Sequence, residues 1–198
     1  MIERYTLPEM GRIWTENAKF QSWLNVEIAA CEANCFLGKI PEEALKEIRL
    51  NAKFQESRIK EIEKEVKHDV IAFLTNINEF VGDAGRYIHV GMTSSDVLDT
   101  GLSLQLKDSC ELLLEEIEKL ENEVRLLARQ HKNTLMIGRS HAIHGEPITF
   151  GFKLAGWLAE TIRNVERLNR LELIISVGQI SGAMGNYANT NPEVEKIT

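Results

Sequence analysis

Two long apolar repeats constrain the fold of this 198-residue chain more than any other feature. From Leu106 to Leu127, apolar side chains recur at alternating steps of four and three residues without a break. A second repeat, with the same two steps, runs from Leu154 to Ile175. Such steps place side chains on one face of an α-helix. The repeats therefore predict two long helices, and the single connection between them predicts an antiparallel pair within a helical bundle.

The residues before the first repeat predict shorter helices. One helix is expected between Thr15, an N-cap residue, and Gly38, a C-terminal stop. A second helix opens at Pro41 and extends through 42–67, where acidic and basic residues alternate. Both are predicted to be amphipathic and solvated. The nearly uncharged stretch 70–81 predicts a third, more deeply buried helix.

The loop at 82–91 ends beside a predicted helix start, because Thr93 and Asp96 have capping-box spacing. Residues 178–192 predict a loop rich in glycine and asparagine.

No strand pattern is recognised along the chain, so the predicted fold class is all-α. A small N-terminal helical domain is expected over residues 1–105. The first two long antiparallel helices of a bundle are expected over residues 106–198.

Composition excludes several classes of function. The 23 basic and 30 acidic residues give a net charge of −7, and the basic residues do not cluster, so a nucleic-acid partner is not expected. Three cysteines without CxxC spacing indicate neither a disulfide framework nor a zinc site. Neither an export leader nor a membrane-spanning apolar stretch is recognised, which predicts a cytoplasmic protein without a membrane partner.

Three polar clusters that contain histidine, 67–69, 89–96 and 138–147, are the candidate sites of chemistry. Histidine, with an unperturbed pKa of about 6.5, can act as a general acid or base near neutral pH. Ordinary structural roles remain open for the first two clusters, as an incidental His–Asp pair and a helix cap. His141 and His144 stand three residues apart, which is not the spacing of a zinc-binding HExxH motif, so no metal site is predicted.

Read together, the clusters resemble the motifs of the adenylosuccinate lyase family, which belongs to the fumarase and aspartase superfamily of homotetrameric helical lyases. The matching elements span the chain in order. They are Met1-Ile-Glu-Arg-Tyr, Lys67-His68-Asp69, His89-x-Gly-x-Thr-Ser-Ser-Asp, Gly-Arg-Ser-His-x-x-His-x-Glu-Pro at 138–147, and Ser181-Gly-Ala-x-Gly-x-Tyr-Ala-Asn.

The resemblance implies a carbon–nitrogen lyase of purine biosynthesis that needs no cofactor. Its implied reaction is the release of fumarate from adenylosuccinate to give AMP, and from the related succinylated carboxamide ribotide. By the same resemblance, His141 is the general acid that protonates the leaving amine, and His68 is a second catalytic imidazole. The implied substrate-binding positions are Arg4, Tyr5, Lys67, His68, Asp69, His89, Thr93 and Ser94.

One family motif is absent from these 198 residues: the mobile loop Ser-Ser-x-Met-Pro-x-Lys-x-Asn-Pro, which supplies the serine base. Active sites of the family also combine segments from three protomers. We therefore expect an N-terminal fragment of a longer homotetrameric enzyme, inactive by itself. Two alternatives stay open: argininosuccinate lyase or another fumarate-releasing member, and a non-catalytic helical oligomerisation module.

Overall fold

The computed structural model describes residues 2–198, without the side chain of Glu3. Met1, the first residue of the predicted opening motif, lies outside the described residues. The chain divides into two compact units. The first unit contains the residues up to Leu106 together with Ser176–Thr198, and the second contains Lys107–Ile175.

Among the described residues, the fold has eight α-helices and one two-stranded sheet. Short 3₁₀ segments lie at Glu3–Tyr5 and Gly82–Tyr87. The other elements, in chain order, are α1 (Pro8–Ile13), α2 (Glu16–Phe36), α3 (Glu42–Asn51), α4 (Glu56–Val66), α5 (Asp69–Val81), α6 (Ser94–Gln130), β1 (Leu135–Ser140), β2 (Ile143–Thr149), α7 (Phe150–Ile175) and α8 (Pro192–Ile197). The predicted helical fold class is confirmed. No helix among these residues combines the length and the apolar character needed to cross a membrane.

Helix α2 lies at the centre of the first unit. Thr15 caps it as predicted, because its Oγ1 accepts a hydrogen bond from the Ala18 N–H at 3.0 Å. The prediction that this helix is solvated is wrong, since ten of its 21 residues are buried. Helices α1, α3 and α8 pack against it, and the rings of Phe20 and Trp23 lie 5.7 and 5.4 Å from the ring of Phe73 in α5. These contacts enclose α2 on several sides.

The segment 42–67 forms two helices, where the charge pattern predicted one. Pro41 stands as the N-cap and not in the first turn. The chain is extended at Ala52, and the Gln55 N–H donates to Oδ1 of the fully buried Asn76 at 2.7 Å. This buried side chain takes up a backbone donor that a continuous helix would have satisfied itself, so the break depends on a contact with α5.

The second unit confirms the predicted antiparallel pair of long helices. The Cys110 thiol of α6 donates to the Leu168 carbonyl oxygen of α7 at 3.6 Å. Eighteen residues further along α6, Ala128 lies against the first turn of α7, where a Cβ on Gly151 would be 2.5 Å from the Ala128 oxygen. The order of these contacts along α7 is reversed, as an antiparallel pair requires.

Only part of the first apolar repeat is covered within this unit. Cys110 and Val124 are buried, whereas Leu113, Leu120 and Leu127 are exposed. A two-helix pair encloses one stripe of each helix, so an adjoining apolar stripe stays on the surface.

A β-hairpin joins the two long helices, and the sequence-based expectation of no strands is wrong here. The strands β1 and β2 pair antiparallel from Leu135 opposite Thr149 to Ser140 opposite Ile143. Two residues form the turn, His141 and Ala142, with φ of 49° and 62°. Turns with two positive φ values usually use Asn and Gly. The sequence offers neither residue, which removes the usual hairpin signal.

Candidate functional site

The predicted site residues near the beginning of the first unit are exposed. Arg4 and Tyr5 lie in the first 3₁₀ segment, with the Arg4 guanidinium carbon 4.7 Å from the centre of the Tyr5 ring. This cation–π contact aligns the guanidinium without neutralising it. Arg4 forms no ion pair with any other residue that the structure describes, so it can bind an anionic group.

Residues 67–69 connect α4 to α5. Lys67 ends α4 in the left-handed conformation with φ of 55°, and His68 is the extended N-cap of α5. The His68 Nδ1 accepts a long hydrogen bond of 3.4 Å from the Ile71 N–H and lies 3.4 Å from Asp69 Oδ1. Side chains of adjacent residues within a helix point in different directions. The His68 and Asp69 side chains can approach each other because His68 precedes the first residue of the helix. An Nδ1 that accepts leaves the proton of the neutral ring on Nε2.

His89 has a buried carboxylate as its partner. Its Nδ1 lies 2.6 Å from Oε1 of Glu27 in α2, whose side chain is 1% exposed, against 21% for His89. A carboxylate only accepts, so the Nδ1–H donates, and Nε2 is the nitrogen left for a ligand. Sequence reasoning missed Glu27. The available signal was a charged residue among the apolar residues of this helix.

Asp96 joins two of the sequence motifs. Its fully buried carboxylate accepts hydrogen bonds from the backbone N–H groups of Thr93 at 2.9 Å, Ser181 at 3.2 Å and Gly182 at 3.0 Å. The bond to Thr93 is the predicted capping contact, and it confirms the helix start. The other two bonds hold a loop more than 80 residues further along the chain.

These two loops pack backbone against backbone. Gly91 and Gly182 have φ of 78° and 79°, and a Cβ on Gly91 would lie 2.2 Å from the Asn189 oxygen. Only glycine satisfies both the conformation and the approach at position 91. The hydroxyls of Thr93 and Ser94 form no hydrogen bond within the part of the chain that the structure describes, so both are available to a ligand.

His141 belongs to the second unit, whereas His68 and His89 belong to the first. His141 is exposed at the tip of the hairpin. Arg139 and His144 face each other across the strands, beside a register shift at Gly138. A Cβ on Gly138 would lie 2.7 Å from the Glu146 oxygen, so the close pairing there requires glycine.

Two of the three cysteines, Cys31 and Cys110, are not activated as nucleophiles. Burial, with the charges of Glu27 and Glu32 nearby, raises the pKa of the Cys31 thiol to about 12. Burial also raises the pKa of Cys110. Over residues 2–198, no cluster of three or more His, Cys, Asp or Glu side chains suits a metal ion.

The family described as Lyase matches residues 3–198. The chain therefore belongs to the lyase family. Within that family, its relatives include the adenylosuccinate lyase of Synechocystis sp., 65% identical over 100% of this chain, and that of Bacillus subtilis, 50% identical over 99%. The predicted resemblance to adenylosuccinate lyases is confirmed.

The chain spans 46% of the length of each of these two relatives. Among solved structures, a fumarate lyase from Mesorhizobium sp. matches 95% of this chain and 46% of its own, with a TM-score of 0.89 and 29% identity.

Proposed function

We propose that this chain is the N-terminal part of an adenylosuccinate lyase that splits adenylosuccinate into AMP and fumarate. The identity of 65% over the whole chain with an adenylosuccinate lyase carries the proposal. The proposed division along the sequence is a substrate-binding domain at residues 1–105 and the beginning of the bundle at residues 106–198, of which Ser176–Thr198 belongs to the first compact unit of the fold. The proposed enzyme belongs to purine biosynthesis and also acts on the succinylated carboxamide ribotide. Its proposed location is the cytoplasm.

The reaction requires one base and one acid. A base removes the proton from the carbon beside a carboxylate, the C–H electron pair forms the fumarate double bond, and the C–N bond breaks. The departing nitrogen must then receive a proton, and His141 is the proposed acid. Its exposed place at the tip of a short hairpin presents the imidazole to a ligand. The resemblance assigns the role of base to a serine in the mobile loop, and this loop motif is absent from the 198 residues.

The remaining site residues suit an anionic substrate. Arg4 and Lys67 are exposed cations that can contact phosphate or carboxylate, and Thr93 and Ser94 offer unused hydroxyls at the start of α6. His68, Asp69, His89 and Tyr5 complete the proposed binding set, with His68 as a second catalytic imidazole.

We also propose that the complete enzyme is a homotetramer with shared active sites. The exposed apolar side chains of α6 and α7, among them Leu113, Leu120, Leu171 and Ile174, support this proposal because partner helices would cover them. Light scattering of the complete enzyme should give four times the subunit mass. A monomer at micromolar concentration would contradict this part of the proposal.

The activity is tested by fumarate release from adenylosuccinate, with argininosuccinate as the competing substrate. In the complete enzyme, His141→Gln should lower kcat about 100-fold or more, the usual contribution of a positioned acid. The matched control is His131→Gln, which changes a histidine whose ring lies 3.1 Å from the Thr134 hydroxyl and against the Phe150 ring, outside the proposed binding set. We expect the control to stay active and the 198-residue chain alone to be inactive.

Three results would count against these assignments. Near wild-type turnover of His141→Gln removes His141 as the acid. Preference for argininosuccinate selects the other branch of the superfamily. Fumarate release by the 198-residue chain itself contradicts the need for a base outside it.

A further inference from the structure

Glu27 is a buried charged residue that the proposed reaction does not yet use. Its α2 neighbours Trp23, Ala30 and Cys31 are buried with it, and its Oε2 has no hydrogen-bond partner among the described residues. Burial of a carboxylate with one unsatisfied oxygen opposes folding, because the lost hydration is only partly replaced. Stability therefore does not account for this glutamate.

We propose that Glu27 is a positioning residue, whose carboxylate holds the imidazole of His89 in one orientation and one tautomer. With the Nδ1–H bound to Glu27, Nε2 is the nitrogen presented to the substrate. The inference rests on the proposed function, since it assigns Glu27 a role through a substrate-binding histidine.

Both the ring and the backbone of His89 are held by packed parts of the first unit. Its ring is fixed from α2, which is packed on several sides. Its backbone has φ of 64° and lies two residues before Gly91. The backbone of Gly91 is in turn packed against the backbone at Asn189. A ring held in this way needs no reordering when a ligand binds, which is the arrangement expected of a preorganised site.

The first test replaces Glu27 by its isosteric amide in the complete enzyme. Glu27→Gln should lower kcat/KM about tenfold or more, as removal of a carboxylate partner of a functional histidine does at metal sites. Its urea midpoint should stay equal or rise, because burial of a neutral amide costs less than burial of a carboxylate with an unsatisfied oxygen. The matched control is Glu47→Gln, an exposed glutamate of α3 without an ion pair among the described residues, which should retain wild-type kcat/KM.

A purely structural role of Glu27 predicts the opposite result. Glu27→Gln would then lower the urea midpoint and retain wild-type kcat/KM in the folded fraction. That outcome overturns the proposal.

A double-mutant cycle tests whether Glu27 acts through His89. In a His89→Ala background, Glu27→Gln should change kcat/KM by less than about twofold, because the ring that it positions is absent. A further tenfold loss in that background overturns the proposal.

A spectroscopic readout does not depend on activity. In the 198-residue chain labelled with ¹⁵N-histidine, the neutral His89 ring should carry its proton on Nδ1. In Glu27→Gln, both tautomers should be populated, because an amide can donate to Nδ1 as well as accept from it. A wild-type proton on Nε2 alone overturns the proposal. Absence of fumarate release from the wild-type enzyme would refute the proposed function, while these signals would still decide the role of Glu27.

Discussion

The carboxylate of Asp96 stabilises the joined loops of the first unit, and its removal has a calculable cost. Asp96→Ala leaves three backbone N–H groups without their acceptor, those of Thr93, Ser181 and Gly182. Each buried donor without a partner costs about 1–3 kcal/mol. Thr93 is only half-buried and can bind water, so the two buried donors set the expected total loss at about 2–6 kcal/mol.

The amide variant Asp96→Asn should fall between the wild type and Asp96→Ala. In its better orientation, the amide oxygen stands at Oδ2 and still accepts from Thr93 and Gly182. The NH₂ group then faces the Ser181 N–H. This contact loses its hydrogen bond and places two donor groups against each other. The expected loss is about 1–3 kcal/mol.

Urea unfolding of the chain, followed by circular dichroism, measures both values. Asp99→Ala, an exposed aspartate one turn later in α6, is the matched control and should cost about 0.5 kcal/mol or less. Limited proteolysis within 182–190 detects release of the loop alone. If Asp96→Ala costs less than about 1 kcal/mol and leaves the protease resistance unchanged, the assignment of this carboxylate as the link between the loops is refuted.

Two further predictions concern stability. Because the pKa of Cys31 is raised in the folded state, the contribution of its protonated thiol to the free energy of unfolding is fully present below pH 9.0. That contribution is lost as the pH rises toward about 12. The free energy of unfolding should therefore fall by up to about 1.4 kcal/mol per pH unit in that window, and a flat profile, or the same slope in Cys31→Ala, would contradict the prediction. Ala142→Gly should raise the free energy of unfolding of the hairpin unit by about 0.5–1 kcal/mol, because glycine adopts a positive φ without steric cost. Ala159→Gly on the exposed face of α7 should lower it by about 1 kcal/mol, and a loss of stability in both variants would be inconsistent with a strained turn.

The helices could be predicted from the sequence wherever local physics decides them. Thr15 caps α2 through a bond to a residue three positions away, and Asp96 caps α6 at the same spacing. The apolar repeats likewise reflect which residues share a helix face. These signals lie within one or two turns, so they are visible in a single sequence.

The remaining features depend on contacts between residues distant in the sequence. The break between α3 and α4 uses Asn76, which is 21 residues from its partner Gln55. Glu27 and His89 are 62 residues apart, and the second role of Asp96 spans 85 residues. No local pattern encodes such pairs. The motif resemblance marked His89 and Asp96 in advance, but their partners required the fold.

Backbone strain supports part of the proposed site independently of the resemblance. Five non-glycine residues among those described have a positive φ, namely Lys67, His89, His141, Ala142 and Tyr187. Glycine would adopt this conformation at lower cost, so a functional or structural use is worth seeking for each of the four side chains larger than alanine.

Strain alone does not mark a site, because it also accompanies ordinary structural contacts. Tyr187 has a structural use, since its hydroxyl donates to Glu195 at 2.7 Å. His141 has no hydrogen-bond partner among the described residues, although its backbone is strained in the same way. The fold therefore gives the His141 imidazole no structural contact of its own, which supports the proposal that it acts in the reaction. The loss of turnover in His141→Gln, with an unchanged urea midpoint, is the result that this reasoning requires.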